Sequence, residues 1–484
     1  MTSREVLALA CALLPAAVVP AVLLAGRFAG GLARLAAVPT GVLALVLAGL
    51  ALAQPADPVV GDWLVVDAAG GLLLGVIGLV GLASVLASPA YLGHAATSLV
   101  SGPRRANVYY AVLYAFWAIL LAVPLAGNLA GAWLLVEATT AASALLVGFS
   151  GTGRALEAGW KYLVLTSLGL GVALLGILLL AAGSDAGGLD ALSWRELSTH
   201  ASGDAALIAY LLLLAGLAAK IGWAPVHNWL PDAHSEAPPP VSALLSAALL
   251  PAVLLVAWRS EQALAPVVGE RTAETVLVLF GLVSLGVAVP FLWRSLPWKR
   301  LLAYSSLEHM GVLALGIGFA SPLALAGVAV HVAGHAIAKA LGFYAATPLL
   351  GVDPRASRRA ATGIGRRRPE LGATMGISLG ALAGLPPSPL FVSEVLIVAG
   401  GFQAGRPWAA AATAALLALG FLGLAHALLE TTGGRGRRRE RPAPGLRGLT
   451  GFACVSVVLL LALSVSALWL PGSDLVEVLA RGLS

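Results

Sequence analysis

Charge is scarce in this sequence. Only 11% of its 484 residues are Asp, Glu, Lys or Arg, where soluble domains carry about 25%. With 59% hydrophobic residues and a mean hydropathy of +0.92, no soluble core could hide run after run of about 20 uncharged residues, so the chain is an integral membrane protein. Cysteine is almost absent too. Cys11 and Cys454 are the only two, placed in the first and last apolar runs without CxxC spacing, which excludes iron–sulfur ligation and a disulfide framework. No P-loop, dinucleotide fingerprint or nucleophile triad is present, so no cofactor is expected in this chain and no catalysis by it alone. The net charge of +6 does not indicate nucleic acid, because the basic residues fall in short loops between apolar runs.

Fourteen hydrophobic spans are present, at 5–25, 35–53, 68–87, 109–127, 129–149, 160–183, 205–223, 241–258, 273–292, 300–319, 321–350, 371–402, 409–430 and 449–470. Unsatisfied backbone groups are costly in hydrocarbon and nothing alternates as barrel strands would, so the fold class is all-α and polytopic. The first run reads as an uncleaved helix rather than a signal peptide, being long and preceded by Glu5 beside Arg4. With the N-terminus outside, 21 basic residues fall on the inner side and 6 on the outer side, which places both termini outside. Two of the 29 basic residues remain, Lys220 and Lys339, and both fall inside apolar spans.

An ammonium at mid-bilayer costs at least about 2.5–3.5 kcal/mol, so it is seldom there without a partner or a hydrated cavity. Lys220, near the end of its span, could snorkel towards the surface; Lys339, flanked by long apolar stretches, cannot do so easily. Glu137, Glu308 and Glu394 share the predicament, and three acids with two lysines suggest pairing. Burial disfavours a charged group and a nearby opposite charge favours it, so a lysine whose acidic partner moves or is protonated becomes a switchable proton carrier. In "HVAGHAIAKAL", His331, His335 and Lys339 recur every four residues, a stripe about 12 Å long on one helix face. Imidazole accepts and donates protons near neutral pH, which makes this a proton-transfer row. Metal binding is the competing use of the two histidines, but no third ligand has supporting spacing, so no metal is expected.

Prolines interrupt two spans. Pro225, Pro231 and Pro238 to Pro240 forbid a continuous helix just after Lys220, in a segment that also carries His227, Asp232, His234 and Glu236. Gly384, Pro386, Pro387 and Pro389 interrupt the span that carries Glu394. Broken spans five apart point to two inverted five-helix repeats, spans 4–8 and 9–13, with ion sites at the breaks in spans 7 and 12. The organisation is then residues 1–103 (spans 1–3), 104–258 (first repeat), 259–430 (second repeat) and 431–484 (a basic inner loop and span 14).

"KIGWAPVHNWLPDAHSEAPPPVSALL", "KRLLAYSSLEHMG" and "HVAGHAIAKALGFYAA" closely resemble the antiporter-like membrane subunits shared by respiratory complex I, group 4 membrane-bound hydrogenases and multi-subunit cation/proton antiporters. "LLVEATTAASALLVGF", "ALEAGWKYL" and "YSSLEHMG" look most like the F-type branch of the hydrogenase-4 membrane subunits. The resemblance covers roughly residues 104–430. It implies a fourteen-helix proton-translocating subunit, with the family's span-5 glutamate on Glu137, its span-7 lysine on Lys220, its span-11 lysine on Lys339 and its span-12 charged residue on Glu394. Glu308 and His309 of "SSLEHMG" join the proton-transfer set. Many members carry a histidine or lysine in span 8, where this sequence has Ser246 in "VSALLSAALL"; water, Ser246 or the two histidines would have to fill the gap. No long lateral C-terminal helix is expected.

The implied partners are other membrane subunits, a peripheral redox module, the lipid bilayer and protons, in the cell inner membrane. A subunit of a cation/proton antiporter or inorganic-carbon uptake module without a redox partner is the alternative, and a structural membrane scaffold is a third reading.

Overall fold

The computed structural model describes residues 3–94, 98–100, 102–183, 190–200, 203–350, 362–433 and 446–481. Spans 1 to 6 are single helices: α1 (Ser3–Leu24), α2 (Ala29–Ala53), α3 (Ala68–His94), α4 (Arg105–Ala122), α5 (Leu129–Val147) and α6 (Gly153–Ala182). Span 7 is two helices, α7 (Gly203–Ile221) and α8 (Trp229–Glu236). Spans 8 to 11 are α9 (Pro239–Val268), α10 (Glu270–Leu292), α11 (Trp298–Phe319) and α12 (Pro322–Tyr344). Span 12 is again two, α13 (Pro369–Leu382) and α14 (Pro389–Gln403), followed by α15 (Pro407–Gly433), α16 (Leu446–Ser466) and a short terminal helix α17 (Asp474–Arg481). Twelve of the described helices are long and apolar enough to cross a membrane; α7 and α14, shorter but equally apolar, complete the fourteen spans.

Both breaks stop where the sequence removes helical options. Gly222 at φ +81° and Gly384 at φ +70° take the left-handed conformation that turns the chain out of α7 and α13. A cis X-Pro bond follows each, Ala224–Pro225 and Pro386–Pro387. The second halves restart at residues suited to helix entry, Ser388 capping α14 by accepting from Leu390 N at 3.1 Å. Consecutive spans pack on one another through both proposed repeats, 4 on 5 to 7 on 8 and 9 on 10 to 12 on 13, and the two breaks fall five spans apart.

Two helices are enclosed almost completely. α9 lies among α3, α7 and α12, and α11 among α8, α10, α12 and α14; both are buried along nearly their whole length. α9 can sit there because its first half carries no charge and its two serines, Ser242 and Ser246, are both hydrogen-bonded. Close approach of α6 and α7 depends on small residues: a Cβ on Gly176 would meet Ala209 O at 2.5 Å and Leu213 N at 2.9 Å. That contact presses the helix carrying Lys220 onto the one carrying Tyr162.

Three basic residues assigned to loops by charge counting are in fact buried. Arg259 lies within α9 and pairs with Asp67 at 2.8 Å, Arg406 follows α14 and pairs with Glu274 at 2.5 Å, and Lys299 sits in the first turn of α11. Counting by position misplaces them because a span's polar end is loop-like in composition even where neighbouring helices cover it. Arg355, Arg358, Arg359, Arg435, Arg437, Arg438, Arg439 and Arg441, the bulk of the two arginine-rich loops, lie outside the described residues. The Arg259–Asp67 pair has a direct consequence. Asp67 also accepts from Gly70 N at 2.7 Å, so Asp67→Ala leaves a buried guanidinium without its counter-charge, and a loss of about 3–5 kcal/mol is expected. Thermal unfolding of the solubilised protein measures it.

Candidate functional site

Lys220 and Lys339 are both fully buried, at 0% exposure. Lys220 Nζ donates to Thr140 Oγ1 and to Tyr162 OH, each at 2.6 Å. Tyr162 OH lies 2.7 Å from Ser143 Oγ, and Ser143 gives its own proton to Thr139 O at 2.5 Å. The direction of donation is therefore fixed as Lys220 to Tyr162 to Ser143 to a backbone carbonyl. Two of the three ammonium donors are occupied, leaving one uncommitted to the described residues. Hydroxyls can also reverse and donate, so this cradle can satisfy a neutral amine as well as an ammonium.

The expected Lys–Glu ion pair is not the arrangement found. Among the described residues no carboxylate lies within ion-pair distance of either ammonium; hydroxyls and a carbonyl hold them instead. Glu137 is the carboxylate whose field reaches Lys220. It lies one helical turn before Thr140, with Oε1 taking a 2.6 Å bond from Ser167 Oγ and Oε2 buried without a partner. Direct pairing fails because side chains three residues apart on α5 share a face, and the nearer one, Thr140, takes the contact.

Lys339 is held by α11. Its Nζ donates to Leu302 O at 2.6 Å and to Ser305 Oγ. Leu302 O also accepts from Ser305 at 3.1 Å and Ser306 at 2.9 Å, more donors than a carbonyl has lone pairs, so the hydroxyl protons here are shared. Ser306 in turn lies 2.8 Å from Ser246 of α9. Ser246 sits in a π-turn over Leu245–Leu249, the kind of local widening that recurs at functional positions. Adjacent serines on α11 thus join Lys339 to the central helix, at the position where the resembled family carries a histidine or lysine.

One turn further along α11, His309 Nδ1 lies 3.0 Å from His331 Nε2, and His331 Nδ1 lies 2.9 Å from Ser393 Oγ of α14. Ser393 commits its proton to Leu390 O at 2.8 Å. His331 must then carry hydrogen on Nδ1, His309 donates from Nδ1, and the buried Nε2 of His309 is left as an unpartnered lone pair. His335 lies 5.2 Å from His309, ring to ring, with neither nitrogen bonded. Glu308 points its Oε1 at Gly420 of α15, where no Cβ obstructs it, and its Oε2 has no partner. Glu394 lies beside Gly384 at the break, where a Cβ would come 2.8 Å from Oε2.

His234, at the end of α8, is buried against Phe343 at 5.2 Å with both nitrogens unpartnered, and the fields of Lys339 and Lys299 both reach it. Lys299 caps α8, donating to Ser235 O at 2.9 Å and to Ala237 O. Glu236 is the acid whose field reaches Lys299. His227 is half-buried in the first break. Asp232 stands apart from the buried axis, paired with Lys161 at 3.7 Å and Arg300 at 3.4 Å.

Residue-type reasoning found the ionisable groups and one hydroxyl, Ser246, and missed the others. Thr140, Ser143, Tyr162, Ser305, Ser306 and Ser393 carry the contacts, yet most sit inside the motifs "VEATTAAS", "WKYL" and "AYSSLEHMG". Tyr162→Phe tests their importance: one hydrogen bond to a charged group is worth about 1.5–3 kcal/mol, so proton uptake is expected to slow about 10–100-fold, measured by dye quenching in proteoliposomes.

A multi-pass helical protein with buried ammonium, imidazole and carboxyl groups strung across two repeats is the class that fold and site define. Residues 126–420 match the family model described as NADH:quinone oxidoreductase/Mrp antiporter, transmembrane, and the chain belongs to that family. It is 31% identical over 395 residues, 80% of this chain and 82% of the relative, to a hydrogenase-4 component F homolog of Methylacidiphilum infernorum. In structure it resembles a chain of the archaeal membrane-bound sulfane sulfur reductase (TM-score 0.84, 20% identity, 99% of this chain and 97% of that one). A chain of the Mrp complex from Dietzia sp. DQ12-45-1b is similar to the same degree (TM-score 0.83, 19% identity, 100% and 98%). At these identities the structural likeness establishes the fold.

Proposed function

We propose that the chain is the proton-conducting membrane subunit of a redox-driven complex of hydrogenase or NADH/quinone dehydrogenase type, working beside other membrane subunits and a peripheral redox module. The observation that carries this reading is the pair of fully buried lysines, Lys220 held by two reversible hydroxyls and Lys339 by a hydroxyl and a carbonyl, each with a third N–H uncommitted to the described residues. Protons enter from the inner side, wait on Lys220 under the field of Glu137, cross by Ser246 and Ser306 to Lys339 and its histidines, and leave near Glu394. Both termini lie on the outer side of the cell inner membrane in this reading, following the basic-residue bias.

The likeness to a Mrp complex chain favours a second reading, a cation/proton exchanger without electron transfer. Mild-detergent copurification separates the two. Iron, nickel or flavin in the purified complex supports the redox reading, and Na⁺-dependent proton flux in a complex without them supports exchange.

A further inference from the structure

Sequence spacing supplies only two histidines for a metal, and the fold supplies the third ligand. His309, His331 and Glu394, from spans 10, 11 and 12, each bring one donor atom within 4.8 Å of the other two. We propose that this triad binds an imidazole-preferring divalent cation of the Zn²⁺ type, and that the bound ion arrests proton transfer along the histidine row. The binding claim is independent of the function proposed above; the arrest rests on it.

Two imidazoles and a carboxylate form the donor set that zinc takes with a fourth position left open. His331 is already oriented as a ligand: its Nδ1–H is held by Ser393, which is itself tied to Leu390 O, the supporting arrangement metal-bound histidines use. Its Nε2 then presents a lone pair. The 3.0 Å between His331 Nε2 and His309 Nδ1 is close to the separation of about 3.3 Å between two ligands on a tetrahedral zinc. For His309 to ligate through Nδ1, the hydrogen there moves to the uncommitted Nε2, so this imidazole loses no proton and stays neutral. The hydrogen bond between the rings is replaced by the metal, and the row can no longer pass a proton.

A dication in a buried site needs negative charge nearby. Glu394 supplies it directly as a carboxylate, its carboxyl proton leaving to solvent as the ion binds. Lys339, four residues after His335 on the same helix, repels the ion, and its field reaches His309 and His335. Access comes from the break in span 12. Pro386 and Pro387 are exposed there, and Gly384, two residues before, has no Cβ to obstruct the Glu394 carboxyl against it. His335 stays outside the triad, its ring 6.4 Å from that of His331.

The test is equilibrium dialysis of the detergent-solubilised complex against Zn²⁺, with zinc-edge X-ray absorption on the wild type and proton flux measured in parallel. One ion per chain with imidazole scattering is expected. Binding should weaken about 10–100-fold or more in His331→Gln and Glu394→Gln, and about tenfold in Ser393→Ala, which loses only the supporting bond. Zn²⁺ should stop flux in the wild type at the concentration that fills the site. No bound ion in a complex that moves protons overturns the site and leaves the proposed function standing, as does binding that the two ligand variants do not weaken. A spectrum without imidazole scattering overturns it even where the variants fail to assemble. A filled triad with undisturbed flux overturns the arrest, and with it the histidine row as the path.

Discussion

Lys220→Arg is expected to assemble normally and to move no protons. Arginine keeps the positive charge and could donate to Thr140 and Tyr162, whose hydroxyls accept from Lys220 at 2.6 Å. What it cannot do is release its proton, since a guanidinium stays charged at any pH a protein survives. If Lys220 served only as a fixed counter-charge to Glu137, the arginine variant would keep most of its activity. A carrier must be lost. The comparison therefore separates a structural cation from a proton-transfer group more sharply than truncation does, and proton uptake by proteoliposomes, normalised to assembled complex, reads it.

The second large effect is expected at Lys339→Ala. This residue anchors more than itself: its ammonium shares Leu302 O with Ser305 and Ser306, and Ser306 links to Ser246 on the central helix. Removing it takes away the one charged donor of that network and leaves the His309–His331 bond at 3.0 Å without a carrier behind it. Transfer through the second repeat should cease. The first repeat, with Lys220 in its cradle on α5 and α6, should still load a proton, so a single-turnover uptake signal is expected to survive where steady pumping does not. A variant that pumps at the wild-type rate would remove Lys339 from the path.

Much of the architecture is legible in the sequence, and for a physical reason. Hydrocarbon forces every backbone group to be satisfied within its own helix, so span positions follow from apolar run length, and proline marks the breaks after Lys220 and before Glu394 whatever the tertiary packing. The buried ionisable residues are legible by the same token, because charge is so rare in this chain that each instance inside a span stands out. Contacts are not. Pairing Lys220 with Glu137 takes charge as the deciding partner, whereas the helix face places Thr140 and the α6 hydroxyl of Tyr162 nearer. Lys299 and Arg259 are hidden for the opposite reason: Lys299 starts a helix and Arg259 lies just past the apolar part of one that runs on to Val268, where composition cannot tell covered helix from loop. Glu394 as a neighbour of His309 and His331 depends on three spans meeting at the second break, a relation that no spacing within one helix encodes.

The most direct test is proton uptake by the reconstituted complex carrying both Lys220→Ala and Lys339→Ala, compared with wild type at equal assembly. If the two buried lysines carry the protons, uptake falls to the level of empty vesicles while the complex remains intact. Uptake undiminished in the double variant would show that protons cross this subunit by another route, or do not cross it at all.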